Sequence, residues 1–242
     1  MEMKLEAPST IDAVIFDIAG TIVDSVDLHA RAWQRAFARF GKNILLPAIR
    51  TQIGKGADQM LPVYFAKDEL DEFGDELEKY RADLFRREYL PQVRAFPKVR
   101  ELFQRIRQDN KRLALASSAK KLELEQYKDI AHIGDLVDAE ISADDVEKSK
   151  PCPDIYQVAI EKLDNLPPEN IIVVGDTPYD AEAAAKANIK SIGVLCGGWA
   201  QTELRRAGFI AIYRDPADLL AHYDELMGID NLIHENGSGA HR

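Results

Sequence analysis

The chain has 242 residues, 46% hydrophobic and 30% charged, with a formal net charge of -10. That length can bury one α/β core plus a smaller inserted unit. The acidic balance argues against nucleic acid or an anionic membrane as a partner, because both select basic surface. Two cysteines, Cys152 and Cys196, make no disulfide framework, no apolar run reaches bilayer length, and the opening "MEMKLEAPST" has no apolar signal core, so a soluble cytoplasmic protein is expected.

The first element is the apolar run Ala13–Phe16, which leads directly into Asp17 and is turned by Gly20-Thr21. Near-continuous hydrophobicity is what a strand covered on both faces requires. From about Val26 to Pro97 the pattern reads as helices only: "VDLHARAWQRAFARFG" closed by Gly41, then about "ADQMLPVYFAK", then the charged "DELEKYRADLFRREYL". Pro62 is expected near a helix start or at a kink. Residues 25–96 are therefore read as an all-helical cap inserted into a discontinuous core of residues 1–24 and 97–233, with 234–242 as a loose polar tail.

Beyond the insert, helical and strand patterns alternate: "KVRELFQRIRQDN", the strands "LALASS" and "AEIS", the helix "PDIYQVAIEKL", the strand "IIVVGD", the helix "DAEAAAKAN", and the strands "SIGVLCGG" and "IAIYRD". Such alternation predicts an α/β fold, a Rossmann-like parallel sheet joined by right-handed crossovers, with ligands gathered at the carboxyl ends of the strands. Asp17, Ser117 and Asp176 all fall at such ends.

The chemistry follows from those tips. Asp176 at a strand end and Asp180 at a helix start would suit a hard cation such as Mg2+, although Asp180 alone also reads as a helix cap. Ser117 and Ser118 offer hydroxyls beside a helix start, where a phosphate can sit. Lys150 precedes a Pro- and Asp-containing first turn and can reach the crevice, whereas Lys148 reads as solvated. In the insert, Gly54-Lys55-Gly56 can bend toward the crevice. His29 and Trp33 share one helix face, Trp33 as core and His29 facing either the site or the packing. Arg50 is a further possible anion contact.

"FDIAGTIVDS", "LASSA", "KSKPCPD" and "GDTPYD", in that order, resemble the four motifs of the haloacid dehalogenase superfamily, in the phosphatase and phosphoglucomutase-like subgroup with a helical cap after the first motif. The resemblance covers almost the whole chain before the tail. It implies that Asp17 is the nucleophile, forming an aspartyl-phosphate that water hydrolyses. It assigns Ser117 and Lys150 to the transferring phosphoryl group, with Ser118, Gly20, Thr21, Lys55 and His29 as further phosphate or substrate contacts. Mg2+ would be held by Asp17, Asp176, Asp180 and the main-chain carbonyl of Ala19. The cap would open and close about hinges near Ser25 and Phe96 over a small phosphorylated metabolite, in a monomer or weak homodimer.

The position of Ala19 is normally Asp in the phosphatases and phosphomutases of that superfamily, where it protonates the leaving alcohol and later activates water. A methyl group does neither, and general acid–base assistance is worth roughly 10²–10⁴ in rate, or about 3–5 kcal/mol of barrier. Three readings follow. Ala19 marks an inactivated or substrate-trapping phosphatase; or the chain is a phosphonoacetaldehyde-hydrolase-like carbon–phosphorus hydrolase, with Lys55 as its Schiff-base lysine; or it is a non-catalytic phosphate binder. The metal-type "GDTPYD" segment counts against a metal-free dehalogenase.

Overall fold

A computed structural model describes residues 11–227. The opening decapeptide, the last residues of the expected core and the expected tail at 234–242 lie outside them.

The elements in chain order are β1 (Ala13–Phe16), β2 (Val23–Asp24), α1 (Val26–Arg39), α2 (Leu46–Arg50), α3 (Ala57–Met60), α4 (Lys67–Leu84), β3 (Arg94–Ala95), α5 (Val99–Gln108), β4 (Arg112–Ala116), α6 (Lys121–Ala131), β5 (Ala139–Ile141), α7 (Asp154–Lys162), β6 (Ile171–Gly175), α8 (Pro178–Lys186), β7 (Lys190–Val194), α9 (Gln201–Ala207), β8 (Ala211–Tyr213), α10 (Pro216–Ala221) and α11 (Tyr223–Met227). Six strands form one sheet in the order β5-β4-β1-β6-β7-β8, and every pairing in it is parallel. The expected α/β core is present. Its strands are shorter at their carboxyl ends than the apolar runs suggested, because Ser117, Ser118 and Asp176 already belong to the loops.

Residues along each strand alternate between two helical layers, as the period of a pleated strand dictates. Val14, Phe16, Leu113, Leu115, Ile172 and Val174 pack toward α5 and α6. Ala13, Ile15, Ala114, Ala116 and Val173 pack toward α7 and the alanines of α8. The helices α6 and α9, which the sequence analysis did not read, supply crossovers that parallel neighbours require.

The segment after β2 has its own apolar cluster, built on Trp33, Phe37, Ile49, Met60, Phe65 and Leu77. The expected second helix there divides at Pro62, with α3 giving way to a 3-10 turn over Leu61–Val63, since proline donates no hydrogen bond. The expected third helix starts earlier, at Lys67, where the Glu69 carboxylate accepts from the Ala66 N–H at 2.8 Å. The reading of helices only is corrected at its edges. β2 and β3 pair antiparallel, Val23 with Ala95 and Asp24 with Arg94, and the Phe96 N–H donates to the Ile22 carbonyl at 2.9 Å. The two crossings between core and insert are thus one short ribbon. Among the described residues no helix is long and apolar enough to cross a membrane.

Candidate active site

The register of three strands fixes the centre. Phe16 lies opposite both Leu115 of β4 and Val174 of β6. Each chain continues past that line in the same direction, so Asp17, Ser117 and Asp176 emerge together at the carboxyl edge. The Asp17 N–H still donates to the Val174 carbonyl at 2.8 Å, which holds the nucleophile candidate rigidly on the central strand.

Lys150 comes from the loop before α7 and is fully buried. Its Nζ donates to Asp17 Oδ1 at 2.6 Å and to the Ala116 carbonyl at 3.0 Å, and lies 2.7 Å from Asp180 Oδ1. Burial by itself would favour a neutral amine; the attraction of Asp17 and then Asp180 outweighs it and holds Lys150 protonated. Burial raises the Asp17 carboxyl to about 6, opposed by Lys150 and reinforced by Asp180. Asp176 is also raised, by burial and by repulsion from Asp17 and Asp180. Three buried carboxylates facing one ammonium leave an excess of negative charge that a divalent cation would neutralise.

The fit for such a cation can be tested on the donors. Asp17, Asp176 and Asp180 each place an oxygen within 4.8 Å of the others. Asp176 Oδ2 is buried and has no hydrogen-bond partner. The backbone is bare around it: a Cβ at Gly197 would fall 1.7 Å from that oxygen, and one at Gly20 2.4 Å. Asp180, by contrast, is occupied by its own chain. Its Oδ1 accepts from Tyr156 Oη at 3.1 Å in addition to Lys150, and its Oδ2 accepts from the Thr177 N–H at 3.1 Å and Thr177 Oγ1 at 2.7 Å. Asp180 caps α8 and positions Lys150, while Asp176 holds the free oxygen.

Gly20 and Thr21, expected at the phosphate, sit beneath the carboxylates and are absent from the cavity lining among the described residues. Thr21 Oγ1 lies 3.3 Å from Asp17 Oδ2 and 3.1 Å from Asp176 Oδ1. Ala19, Ser117, Ser118, Lys55 and His29 do line the cavity above Asp17. Ser117 Oγ accepts from the Ala119 N–H at 3.1 Å. Ser118 Oγ donates to the Gly54 carbonyl at 3.0 Å, joining core to insert. The Lys55 ammonium is turned aside: Nζ donates to Gln52 Oε1 at 2.7 Å and stands 4.7 Å above the Tyr179 ring. Arg50 does not face the cavity as an anion contact. It binds Asp27 Oδ1 at 2.7 Å and donates to the Gly197 carbonyl at 2.9 Å, where it clasps the insert to the core. Lys148 is exposed, as read.

His29 belongs to a closed ring of hydrogen bonds that the sequence analysis missed. Arg81 Nη2 lies 2.8 Å from His29 Nδ1, and His29 Nε2 lies 2.8 Å from Tyr127 Oη. Tyr127 Oη donates to Glu123 Oε1 at 2.8 Å, and Arg81 Nη1 to Glu123 Oε2 at 3.2 Å. Arginine can only donate and an ionised carboxylate can only accept, so the directions close in one way: His29 is neutral with its proton on Nε2. The ring stacks on Phe85 at 4.1 Å and bridges α1 and α4 of the insert to α6 of the core. A sequence signal existed. Arg81 stands four residues after Leu77 and four before Phe85, on the buried stripe of its helix, where an unpaired cation would be costly.

Burial, more than the opposing pull of Glu123, lowers His29 to about 3. In the unfolded chain it titrates near 6.5, so stability from this group is complete above that pH and is lost as pH falls toward 3. The variant His29→Gln should show a stability–pH slope between pH 4 and 6 that is shallower by about 1.4 kcal/mol per pH unit. Denaturant unfolding at several pH values checks this; parallel curves for both proteins would refute a neutral buried His29.

The small cavity over Asp17 has a volume of 50 Å³ and shares Trp33, Lys55, Arg81, Ser118, Ala119 and Glu123 with a neighbouring cavity of 440 Å³ between insert and core.

The profile of a family described as haloacid dehalogenase-like hydrolase matches residues 14–194. A phosphorylated carbohydrates phosphatase of Thermotoga maritima is 28% identical over 90% of this chain and 100% of its own length. A phosphoglycolate phosphatase of Nitrosospira multiformis is 30% identical over 74% of this chain and 81% of its own. The crystal structure of a hydrolase from Pseudomonas syringae superposes with a TM-score of 0.78 at 27% identity, covering 88% of this chain and 98% of that one.

Proposed function

We propose, for a chain that belongs to the haloacid dehalogenase-like hydrolase family, that it hydrolyses a small phosphomonoester of the sugar- or polyol-phosphate type through an aspartyl-phosphate on Asp17. Its action on phosphate esters follows from the family and from relatives named as phosphatases. The observation that carries the rest is the pairing of the Asp17 carboxylate with fully buried Lys150, beside an Asp176 oxygen that has no partner.

In this reading an Asp17 oxygen attacks phosphorus from the strand tip. Lys150 restrains the repulsion between that carboxylate and an anionic phosphate. Ser117, whose Oγ already accepts from Ala119, keeps its own proton to donate to a phosphoryl oxygen. Asp17 and Asp176 would hold Mg2+, which, when bound, neutralises charge on the transferring phosphoryl group. Asp180 contributes through Lys150 and the helix cap. The helical insert acts as the cap, and the β2–β3 ribbon is its hinge. The route through a Lys55 Schiff base draws no support from an ammonium directed at Gln52 and Tyr179. The protein would work in the cytoplasm on a phosphorylated metabolite, as a monomer or weak homodimer.

Phosphate release from a panel of phosphate esters, with and without Mg2+, tests the reading. In parallel, Mg2+ at about one hundred times its dissociation constant should stabilise the chain by about 2.7 kcal/mol. That stabilisation should vanish in Asp176→Asn, while a persistent shift in the variant would place the cation elsewhere. Anion binding without phosphate release would identify a phosphate-binding protein instead.

A further inference from the structure

The cavity over Asp17 contains an attacking oxygen and charge-neutralising groups. Among the described residues lining it, none presents a protonated carboxyl or an unengaged imidazole proton to a departing oxygen. Ala19, Ile53 and Ala119 have no ionisable group. Glu123 is held ionised: burial would raise its carboxyl, but the Arg81 guanidinium and the hydrogen bonds from Tyr127 and Arg81 outweigh that and lower it. Its two oxygens accept from Arg81 and Tyr127. The only exchangeable ring proton of His29 is given to Tyr127, and its other nitrogen is filled by Arg81, which does not deprotonate in proteins. The Lys55 ammonium donates to Gln52 and stands over Tyr179, neither of which lines this cavity, so its head is drawn away from the reacting centre. Lys150 places its three protons on Asp17, Asp180 and the Ala116 carbonyl. The hydroxyls of Ser117 and Ser118 can hydrogen-bond but are far too weak as acids to protonate an alkoxide.

We propose that the substrates of this chain are phosphates whose leaving group departs as a stable anion, without protonation by the protein. Among phosphorylated carbohydrates this selects phosphate on the acidic hemiacetal hydroxyl over phosphate on a primary alcohol. Acyl phosphates, phosphoanhydrides and aryl phosphates belong to the same chemical class. The inference rests on the phosphatase reading above and narrows it.

The step balances without a protein acid. The bond from an Asp17 oxygen to phosphorus forms as the bond from phosphorus to the leaving oxygen breaks. The leaving group takes the electron pair and is protonated by bulk water after it departs through the wider cavity. Water then attacks phosphorus, frees the Asp17 carboxylate and yields inorganic phosphate, with the excess proton passing to solvent. No side chain in the cavity is free to take that proton at the transition state either, so this second step is also slow and the phosphorylated form of the protein accumulates.

The test is the dependence of kcat/KM on leaving-group acidity, measured with Mg2+ on a series of substituted phenyl phosphates together with glycerol 3-phosphate. The rate should fall steeply along the series, and glycerol 3-phosphate should be slower than the most acidic phenyl ester by at least about 10²–10⁴. A sugar 1-phosphate should exceed the 6-phosphate of the same sugar. In Ala19→Asp the dependence should flatten, because a carboxyl group there could protonate the leaving oxygen. A flat dependence in the unaltered chain overturns the proposal and leaves the phosphatase reading standing. No release from any member of the series overturns both.

Discussion

Replacing Lys150 by Met should abolish phosphate release and destabilise the fold by about 3–5 kcal/mol. The side chain is fully buried and its ammonium joins two carboxylates and a strand-end carbonyl. Methionine matches its volume, so the loss is electrostatic and not a cavity. Asp17 and Asp180 would then face each other, and Asp176 behind them, with no cation of the chain between. For a domain of this size such a loss lowers Tm by about 10 °C. Thermal unfolding checks the stability half and phosphate release the catalytic half. The stability half also has a compensating experiment: Mg2+ should restore more stability to Lys150→Met than it adds to the unaltered chain, because the variant has more uncompensated charge. A variant with unchanged Tm would show that Lys150 is not the counter-ion of Asp17.

The second large effect is a gain. Ala19→Asp should raise kcat for an alkyl phosphate by about 10²–10⁴, equivalent to about 3–5 kcal/mol of barrier. Ala19 is half-buried and lines the small cavity above Asp17. Its backbone is held by a bridge to Val23, so the substitution need not rebuild the turn. Steady-state rates on glycerol 3-phosphate measure the gain. Unchanged rates would mean that proton transfer does not limit turnover.

The core of this fold was legible because a parallel sheet must be apolar on both faces. Ala13–Phe16, "LALA" and "IIVV" could hardly be anything but buried strands, and their tips carried Asp17, Ser117 and Asp176 with them. The ring of Arg81, His29, Tyr127 and Glu123 was not legible. Its members come from three helices far apart in sequence, and in a single sequence a charged helix such as "DELEKYRADLF" reads as solvated. The position of Arg81 between buried Leu77 and Phe85 is a sign of the ring that the sequence carries. Two residues read from motifs proved to have different surroundings. The acceptor capacity of Asp180 depends on Tyr156 and Thr177, and Thr21 points down to the carboxylates and away from the cavity. Spacing along the chain places a residue at a strand end but does not say which of its atoms remain free. The direction of the Lys55 ammonium likewise depends on Gln52 and Tyr179, the latter more than a hundred residues away in sequence.

The most direct test of the account is to trap the phosphorylated protein. The chain is mixed with acetyl phosphate and Mg2+, quenched in acid, and reduced with borohydride, which converts an acyl phosphate to an alcohol and so turns aspartate into homoserine. Peptide mass spectrometry should find homoserine at residue 17 in the unaltered chain and not in Asp17→Asn. Phosphate release with no modification at residue 17, or with the phosphoryl group on a serine, would contradict it.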